Sequence, residues 1–206
     1  MLTVDNFGQL NQLCEFNDKV FYKFFLMIRK KDVGEHPLIT TKSQENIIKI
    51  WLVNSEEYLR KKINEMAYLL EVIPNSRLYM CTDAKSNLKT IMTIRHNLNK
   101  VIDAALFGSE ENPTPYISRM VSSSTSAVES SEHDFRKYMI DVDTKDENVL
   151  KSVLDNLSSI TDLSPLVLNS KNGYHIVIKR AFNPSMFKQI NNVELKKDAA
   201  VLIAMS

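Results

Sequence analysis

The chain has 206 residues, 44% of them hydrophobic and 25% charged, and a formal net charge of +1. This composition is typical of a globular protein, and the length suffices for one large domain or two small halves that share a sheet. The near-neutral charge excludes a global basic field for nucleic acid, although one local groove can still be basic. Cys14 and Cys81 are the only cysteines and form no CxxC pair, which argues against a disulfide scaffold and a structural zinc site.

The start of the sequence, MLTVDNFGQL, lacks the basic residues and the apolar core of a signal peptide. No apolar run approaches the length that is needed to span a bilayer. We therefore expect a soluble, cytoplasmic protein with no membrane partner.

The first half of the sequence predicts three strands and two helices. Ser55 offers a helix N-cap before a segment with apolar residues at helical spacing, and Gly108 ends a second helix. Aromatic and branched residues mark the strands. In chain order, the predicted elements are strands over 19–31 and 46–54, a helix over 55–73, a strand over 77–82 and a helix over 86–108.

A serine-rich segment, residues 109–134, contains few apolar residues and begins with the acidic, proline-bearing sequence SEENPTP. This composition favours a loop or hinge. We therefore divide the chain into an N-terminal α/β half, residues 1–108, the loop 109–134, and a second half, residues 135–206. The two halves are expected to form one compact domain overall.

The second half predicts strands, a helix and one tight hairpin. The turn Lys171-Asn172-Gly173 contains Asn-Gly, the strongest short hairpin signal in the chain. The predicted elements are a strand over 136–142, a helix over 144–160, strands over 165–169 and 174–180, a short helix at SMFKQI and a last strand over 200–204. The complete order predicts an α+β fold with mixed, largely antiparallel sheets and helices on one face.

Two carboxylates, Asp141 and Asp143, stand two residues apart at the end of the apolar strand YMIDVD. Residues i and i+2 of a strand share a face, so both carboxylates would project together while Val142 faces the core. Such a pair repels unless a cation neutralises it, and Mg²⁺ or Mn²⁺ prefers oxygen ligands. The alternative is that Asp143 or Thr144 caps the next helix.

His175 follows the tight turn directly, in the sequence SKNGYHIVIK. The amides of Asn172 and Gly173, the charge of Lys171 and the imidazole together suit a phosphate group. The alternative is a simple hairpin whose histidine packs against a neighbour.

A third carboxylate is available near the C-terminus from Glu194 or Asp198. The alternative is that both are surface acids of the charged segment ELKKD.

The ordered set YMIDVD, GYH and KKDAAVLI resembles the motifs of the archaeo-eukaryotic primase superfamily, the primase–polymerases. The family pattern is an apolar strand ending in D-x-D or D-x-E, a small residue–x–His on a strand, and an acid beside an apolar strand. The resemblance covers mainly residues 135–204 and is strongest to the small stand-alone members of large bacteriophages. Gly173 stands where the family often has serine, and Lys197 replaces an apolar residue before Asp198.

The resemblance implies an RRM-like catalytic unit paired with an N-terminal α/β unit. It also implies a metal-dependent nucleotidyltransferase that synthesises or extends a primer on a nucleic-acid template in DNA replication. Two Mg²⁺ or Mn²⁺ ions would be held by Asp141, Asp143 and Asp198 or Glu194, and His175 would contact the phosphates of the nucleoside triphosphate. The implied partners are the template, nucleotides, and a replicative helicase or another replication protein.

Further cations are available for the nucleotide phosphates. Lys171 and Lys179 flank His175, and Arg77 opens a strand of the first half. The alternative for Arg77 is a cation that keeps a strand edge soluble.

Two other functions remain open. The chain could be an inactive primase-like module that binds nucleic acid or protein, or a metal-dependent phosphoesterase or nuclease, because clustered acids with a histidine also suit phosphodiester cleavage.

Overall fold

The strands of the protein form two antiparallel sheets. A computed structural model of the chain describes residues 2–33, 45–107, 136–160, 164–179, 182–187, 189–197 and 199–206. The predicted loop 109–134 and the candidate Asp198 lie outside these described residues. The fold is α+β with antiparallel sheets, as the sequence predicts. Within the described ranges, no helix is both long and apolar enough to cross a membrane.

The first sheet has six strands, in the order β1-β10-β4-β2-β3, with β5 paired to β2. All its pairings are antiparallel. The strands are β1 (Val4–Asp5), β2 (Val20–Arg29), β3 (Glu45–Val53), β4 (Ser76–Cys81), β5 (Lys85–Ser86) and β10 (Ala200–Met205). The helices of this part are α1 (Leu10–Leu13), α2 (Lys30–Val33), α3 (Glu56–Val72) and α4 (Asn87–Phe107), with a 3₁₀ turn at Phe7–Gln9.

Helix α3 covers part of the first sheet because its sequence is amphipathic. The backbone N–H of Tyr58 donates to Ser55 Oγ over 3.2 Å, which satisfies one free amide at the helix start. Leu59, Met66 and Leu70 are buried in one core with side chains of β2 and β3. The sequence therefore fixes both the start of this helix and its buried face.

The second sheet has four antiparallel strands in the order β7-β8-β6-β9. Its elements are β6 (Tyr138–Val142), α5 (Glu147–Ser158), β7 (Leu166–Asn169), β8 (Tyr174–Ile178), a 3₁₀ turn at Pro184–Phe187 and β9 (Val193–Lys197). Ile140 and Val142 pack with Val153 and Leu157 of α5, whereas Met139 belongs to the core of the first sheet. This sheet therefore lies between α5 and the first sheet.

Helix α5 begins later than the sequence predicts. Its N-cap is Asp146, which accepts a 2.9 Å hydrogen bond from the Asn148 N–H. Thr144 Oγ1 accepts from the Asp146 N–H instead. The alternative that Asp143 or Thr144 caps this helix is therefore wrong, and the Asp143 carboxylate is left for another role.

The last strand joins the first sheet and not the second. β10 pairs with β4 on one side and β1 on the other, and Val201, Leu202 and Ile203 are almost fully buried. A continuous apolar run is typical of an inner strand that is covered on both faces. The division of the chain at residue 135 therefore does not follow the sheets at the C-terminal end.

Polar side chains tie the two sheets together. Asn6 donates from its amide nitrogen to the carbonyls of Asn169 and Leu202, over 2.8 and 2.9 Å. The buried Lys137, just before β6, donates from its backbone N–H to Asp83 Oδ1 over 2.8 Å. These contacts fix the second sheet against the first and so fix the cleft between them.

Candidate active site

Asp141 occupies the central strand of the second sheet, on the face turned away from α5. In the strand register it lies opposite His175 of β8 and Glu194 of β9. Residues paired across neighbouring strands project to the same face, so these three side chains form one row. Asp141 is 7% exposed, whereas Asp143, beyond the strand end, is exposed. The structure therefore brings the predicted acids, the predicted histidine and one late acid together.

A polar cleft of about 350 Å³ lies between this row and the first sheet. Its acidic lining residues are Asp32, Asp141 and Asp143. Its basic lining residues, counting the imidazole, are Arg29, Lys31, Arg77, Lys171 and His175. Carboxylates suited to a metal ion therefore face cations suited to phosphate groups across a single cleft.

His175 is oriented by a strand of the other sheet. Its Nδ1 accepts a 3.2 Å hydrogen bond from the Leu202 N–H of β10. Since Nδ1 is the acceptor, Nε2 carries the proton of the neutral ring, and Nε2 lies 3.6 Å from Asp141 Oδ1. Burial lowers the pKa of His175 below its usual value, the charge of Asp141 opposes this shift, and Lys196 adds to it. The neutral imidazole therefore presents an N–H donor toward Asp141.

Lys196 of β9 neutralises the acids of the row. Its ammonium forms a short ion pair with Asp141 Oδ2 and lies 3.4 Å from Glu194 Oε2. Burial lowers the pKa of Lys196, but hydrogen bonds and charge from the two carboxylates outweigh it and raise the pKa overall. No sequence motif indicates Lys196, because the segment VELKK has the composition of a charged surface segment. The strand register is needed to see that Glu194 lies opposite Asp141 and that Lys196, two residues further along β9, projects to the same face.

Arg77 and Lys171 meet at one carboxylate, that of Asp32. Arg77 Nη2 and Lys171 Nζ each contact Asp32, both at 2.6 Å. The Arg77 and Asp32 side chains are only 5% and 4% exposed. β4 lies inside the sheet, between β10 and β2, so the alternative that Arg77 is a strand-edge cation is wrong. The structure therefore places two predicted phosphate contacts side by side, with a third partner that the sequence did not suggest.

Gly173 is required by close packing. A Cβ atom at this position would lie 1.9 Å from the Val142 carbonyl oxygen and 2.7 Å from the Thr144 nitrogen. The hairpin turn thus sits against the end of β6, next to Asp141 and Asp143. A serine at position 173, the residue common in the primase family, would collide with this backbone. The glycine therefore holds Lys171 and Asn172 beside the acids, and both line the cleft.

Lys179 does not belong to this constellation. β8 ends at Ile178, and the Lys179 ammonium pairs with Glu15 Oε1 at 2.6 Å. Lys179 is not one of the described residues that line the cleft. Lys179, one of the cations predicted for the nucleotide phosphates, therefore lies outside the cleft that contains His175.

A second cavity, of about 630 Å³, adjoins the polar cleft and shares Arg29, Tyr79, Asp141 and His175 with it. Phe25 and Tyr79 stack on its wall with ring centroids 5.6 Å apart and planes 18° apart. Its other apolar lining comes from Met27, Ile47 and Met139, and its charged lining includes Glu45, Lys196 and Lys197. The combined space is polar at one end and aromatic at the other.

The carboxylate oxygens of the cleft are the type of ligand that Mg²⁺ or Mn²⁺ prefers, but too few acidic groups among the described residues are gathered there to hold the ion. Asp141 and Asp143 supply carboxylate oxygens to one cleft, and Glu194 is the late acid in register with Asp141. Over the described part of the chain, no cluster of three or more histidine, cysteine or acidic groups is arranged to hold a metal ion. Because the Lys196 ammonium already pairs with Asp141, a metal ion there would have to displace it. Binding of a metal ion at Asp141 and Asp143 therefore requires that Lys196 move away and that a further acid, such as Glu194, approach.

Comparison with known proteins finds no family model, no curated protein and no solved structure that matches this chain.

Proposed function

We propose that the protein is a metal-dependent nucleotidyltransferase of the primase–polymerase type, which acts in the cytoplasm to make or extend a primer on a nucleic-acid template. One observation carries this proposal. Asp141, Asp143 and His175 share a cleft with Arg77 and Lys171, which come from the opposite wall and the adjoining turn. Phosphoryl and nucleotidyl transfer need this combination of acidic ligands for a metal and fixed cations for phosphates.

The topology of the second sheet supports the same proposal. Its elements follow the order strand, helix, strand, strand, 3₁₀ turn, strand, and its strands lie in the order β7-β8-β6-β9. This order is similar to the β-α-β-β-α-β order of the split βαβ folds, with a 3₁₀ turn in place of the second helix, and an RRM likewise presents a four-stranded sheet. Asp141 stands on a central strand of this sheet, within the motif YMIDVD that resembles the first motif of the primase family.

The shape of the site suits a nucleotide. The polar cleft would receive the phosphates, and the adjoining cavity offers the stacked rings of Phe25 and Tyr79 to a base. Both volumes lie in the range of small-molecule sites, roughly 300–1,000 Å³. Base stacking on aromatic rings does not depend strongly on base identity, as a template-directed enzyme requires.

Each residue has a defined part in the reaction. Asp141 and Asp143, with Glu194 or Asp198, would hold the metal ion, which would lower the pKa of the attacking hydroxyl and offset charge on the phosphates. His175 would donate its Nε2 proton in a hydrogen bond to a phosphate oxygen. Arg77 and Lys171 would stabilise the negative charge that develops on the leaving pyrophosphate.

The test is a primer-synthesis assay with Mg²⁺ or Mn²⁺, single-stranded template and all nucleotides. We expect wild-type protein to make oligonucleotides and Asp141→Ala to lose at least about a hundredfold in rate, because ligand removal abolishes metal-held charge stabilisation. Asp155→Ala, on the exposed side of α5, is the matched acid control and should behave as wild type. Inactivity of wild type, or equal activity of Asp141→Ala, would reject the proposal. Shortened template without synthesis would instead indicate a nuclease.

A second candidate, a primase-like module that binds nucleic acid without catalysis, is favoured by one contact. Lys196 already neutralises Asp141, so the row is electrically satisfied without a metal ion. Calorimetric titration with Mn²⁺ separates the two candidates. The enzyme should bind Mn²⁺ and lose this binding in Asp141→Ala, whereas a binding module should give no Mn²⁺ signal and still bind oligonucleotide.

A further inference from the structure

Asp32 is a buried carboxylate in the cleft wall that pairs with two cations. It lies on α2, one turn of helix directly after β2, and its side chain is 4% exposed. Oδ1 accepts from Arg77 Nη2 over 2.7 Å and from Lys171 Nζ over 2.6 Å, and Oδ2 lies 2.6 Å from the same Arg77 nitrogen. One carboxylate therefore engages cations from both sides of the cleft, one on β4 and one in the β7–β8 turn.

The contacts of Asp32 are those that a phosphate group would make. Arginine and lysine bind carboxylates and phosphates through the same charge-assisted hydrogen bonds. Arg77 also donates from Nη1 to the Tyr79 hydroxyl over 3.1 Å, while its buried Nε has no hydrogen-bond partner. The guanidinium thus keeps an unused donor at a wall that also carries Arg29 and Lys31.

Two cations share this single carboxylate, so the contact leaves positive charge uncompensated. Burial raises the pKa of Asp32, but the hydrogen bond from Lys171 and the charge of Arg77 outweigh it, so the pKa lies below its usual value. Asp32 is consequently ionised at neutral pH and competes fully with any anion. A group with more negative charge, such as a polyphosphate, would satisfy both cations better than Asp32 does.

We propose that Asp32 is an internal substitute for a substrate phosphate, which an incoming polyphosphate displaces from Arg77 and Lys171. Displacement releases α2 from the cleft and opens the site to the triphosphate. The natural identity of this polyphosphate, a nucleoside triphosphate, rests on the proposed function. The competition between Asp32 and an anion for Arg77 and Lys171 is independent of the proposed function.

The test uses inorganic triphosphate without divalent metal, titrated calorimetrically into full-length protein. We expect Asp32→Asn to bind triphosphate about tenfold more tightly than wild type, because the fraction of protein with free cations no longer limits the apparent affinity. Lys171→Met should bind more weakly than wild type. Asp155→Asn removes the same charge from the exposed side of α5 and should leave the affinity unchanged.

Two results would overturn the inference. One is folded Asp32→Asn protein that binds triphosphate no better than wild type. The other, needed if Asp32→Asn fails to fold, comes from hydrogen exchange on wild type: saturating triphosphate should speed exchange of the α2 amides, and unchanged or slower exchange refutes displacement.

The outcomes are independent of primer synthesis. If Asp32→Asn binds triphosphate more tightly but the protein makes no primer, only the proposed nucleotidyltransferase function is rejected. If Asp32→Asn binds triphosphate as wild type does but the protein makes primer, only the proposed role of Asp32 as a substitute for phosphate is rejected.

Discussion

His175 shows how one hydrogen bond between the sheets prepares the candidate site. The Leu202 N–H of β10 donates to Nδ1, and this bond leaves the Nε2 proton directed at Asp141. The histidine therefore has a structural contact through one nitrogen and a candidate catalytic contact through the other. The sequence indicated the second role, but the first depends on a strand 27 residues away in the chain.

Substitutions at His175 should separate these two roles. His175→Ala leaves the buried Leu202 N–H without its acceptor, which should cost about 1–3 kcal/mol of unfolding free energy, in addition to lost packing. His175→Asn can keep an acceptor near the Nδ1 position and should cost less. Both variants should lose synthesis, since neither keeps the Nε2 proton. Urea denaturation and primer assays measure the two effects, and equal stability of the two variants would contradict this account.

Gly173 is a second residue at which packing decides the outcome. Gly173→Ala places a methyl group 1.9 Å from the Val142 carbonyl oxygen, so the turn must move away from β6. We expect a loss of about 3 kcal/mol or more in urea denaturation, at the upper end of overpacking. Gly8→Ala is the matched control, since a Cβ there has no neighbour within 4 Å. A Gly173→Ala protein as stable as Gly8→Ala would show that the turn is not packed as described.

Among the secondary-structure elements, the loop between β6 and α5 contains two acids with different roles. Asp146 caps α5, and Asp143 borders the cleft. Asp146→Ala should therefore cost about 1 kcal/mol of stability, the usual value of an N-cap, and leave synthesis nearly intact. Asp143→Ala should show the reverse, a small change in stability and a large loss of synthesis. Thermal melts and primer assays on both variants check this, and an exchange of the two phenotypes would contradict it.

Elements with a strong local pattern were predictable. The aromatic strand β2 and the amphipathic α3 lie within two residues of the predicted bounds. The pattern of apolar residues within each segment is enough to predict the element and its buried residues. β9 was not predicted, since VELKK reads as a solvated charged segment and becomes a strand only by pairing with β6. The position of β10 was also not predictable, because an apolar run does not say which sheet it joins.

The same distinction holds for the candidate site. Asp141, Asp143 and His175 stand in short local motifs, so the sequence alone indicates them. Asp32 and Lys171 are 139 residues apart, and Lys196 and Asp141 are 55 apart. Such partners are defined by tertiary packing, which no local pattern encodes. The stacked Phe25 and Tyr79 likewise meet only because β2 and β4 are neighbours.

At the scale of the whole molecule, the cleft exists because the chain returns to its first sheet. β10 follows β9 of the second sheet and then inserts between β1 and β4. The row of Asp141 and His175 is thereby held against a wall that carries Arg77 and Tyr79. Residues of both sheets therefore line the candidate site.

A crystal structure with Mn²⁺ and a non-hydrolysable nucleoside triphosphate tests the proposed metal site most directly. We predict an anomalous manganese peak about 2 Å from carboxylate oxygens of Asp141 and Asp143, the usual length of such bonds. Lys196 should have left Asp141, and the triphosphate should contact Arg77 and Lys171. A structure at saturating ligand with no manganese at Asp141, and with Lys196 still paired to Asp141, would show that Asp141 does not hold a metal ion.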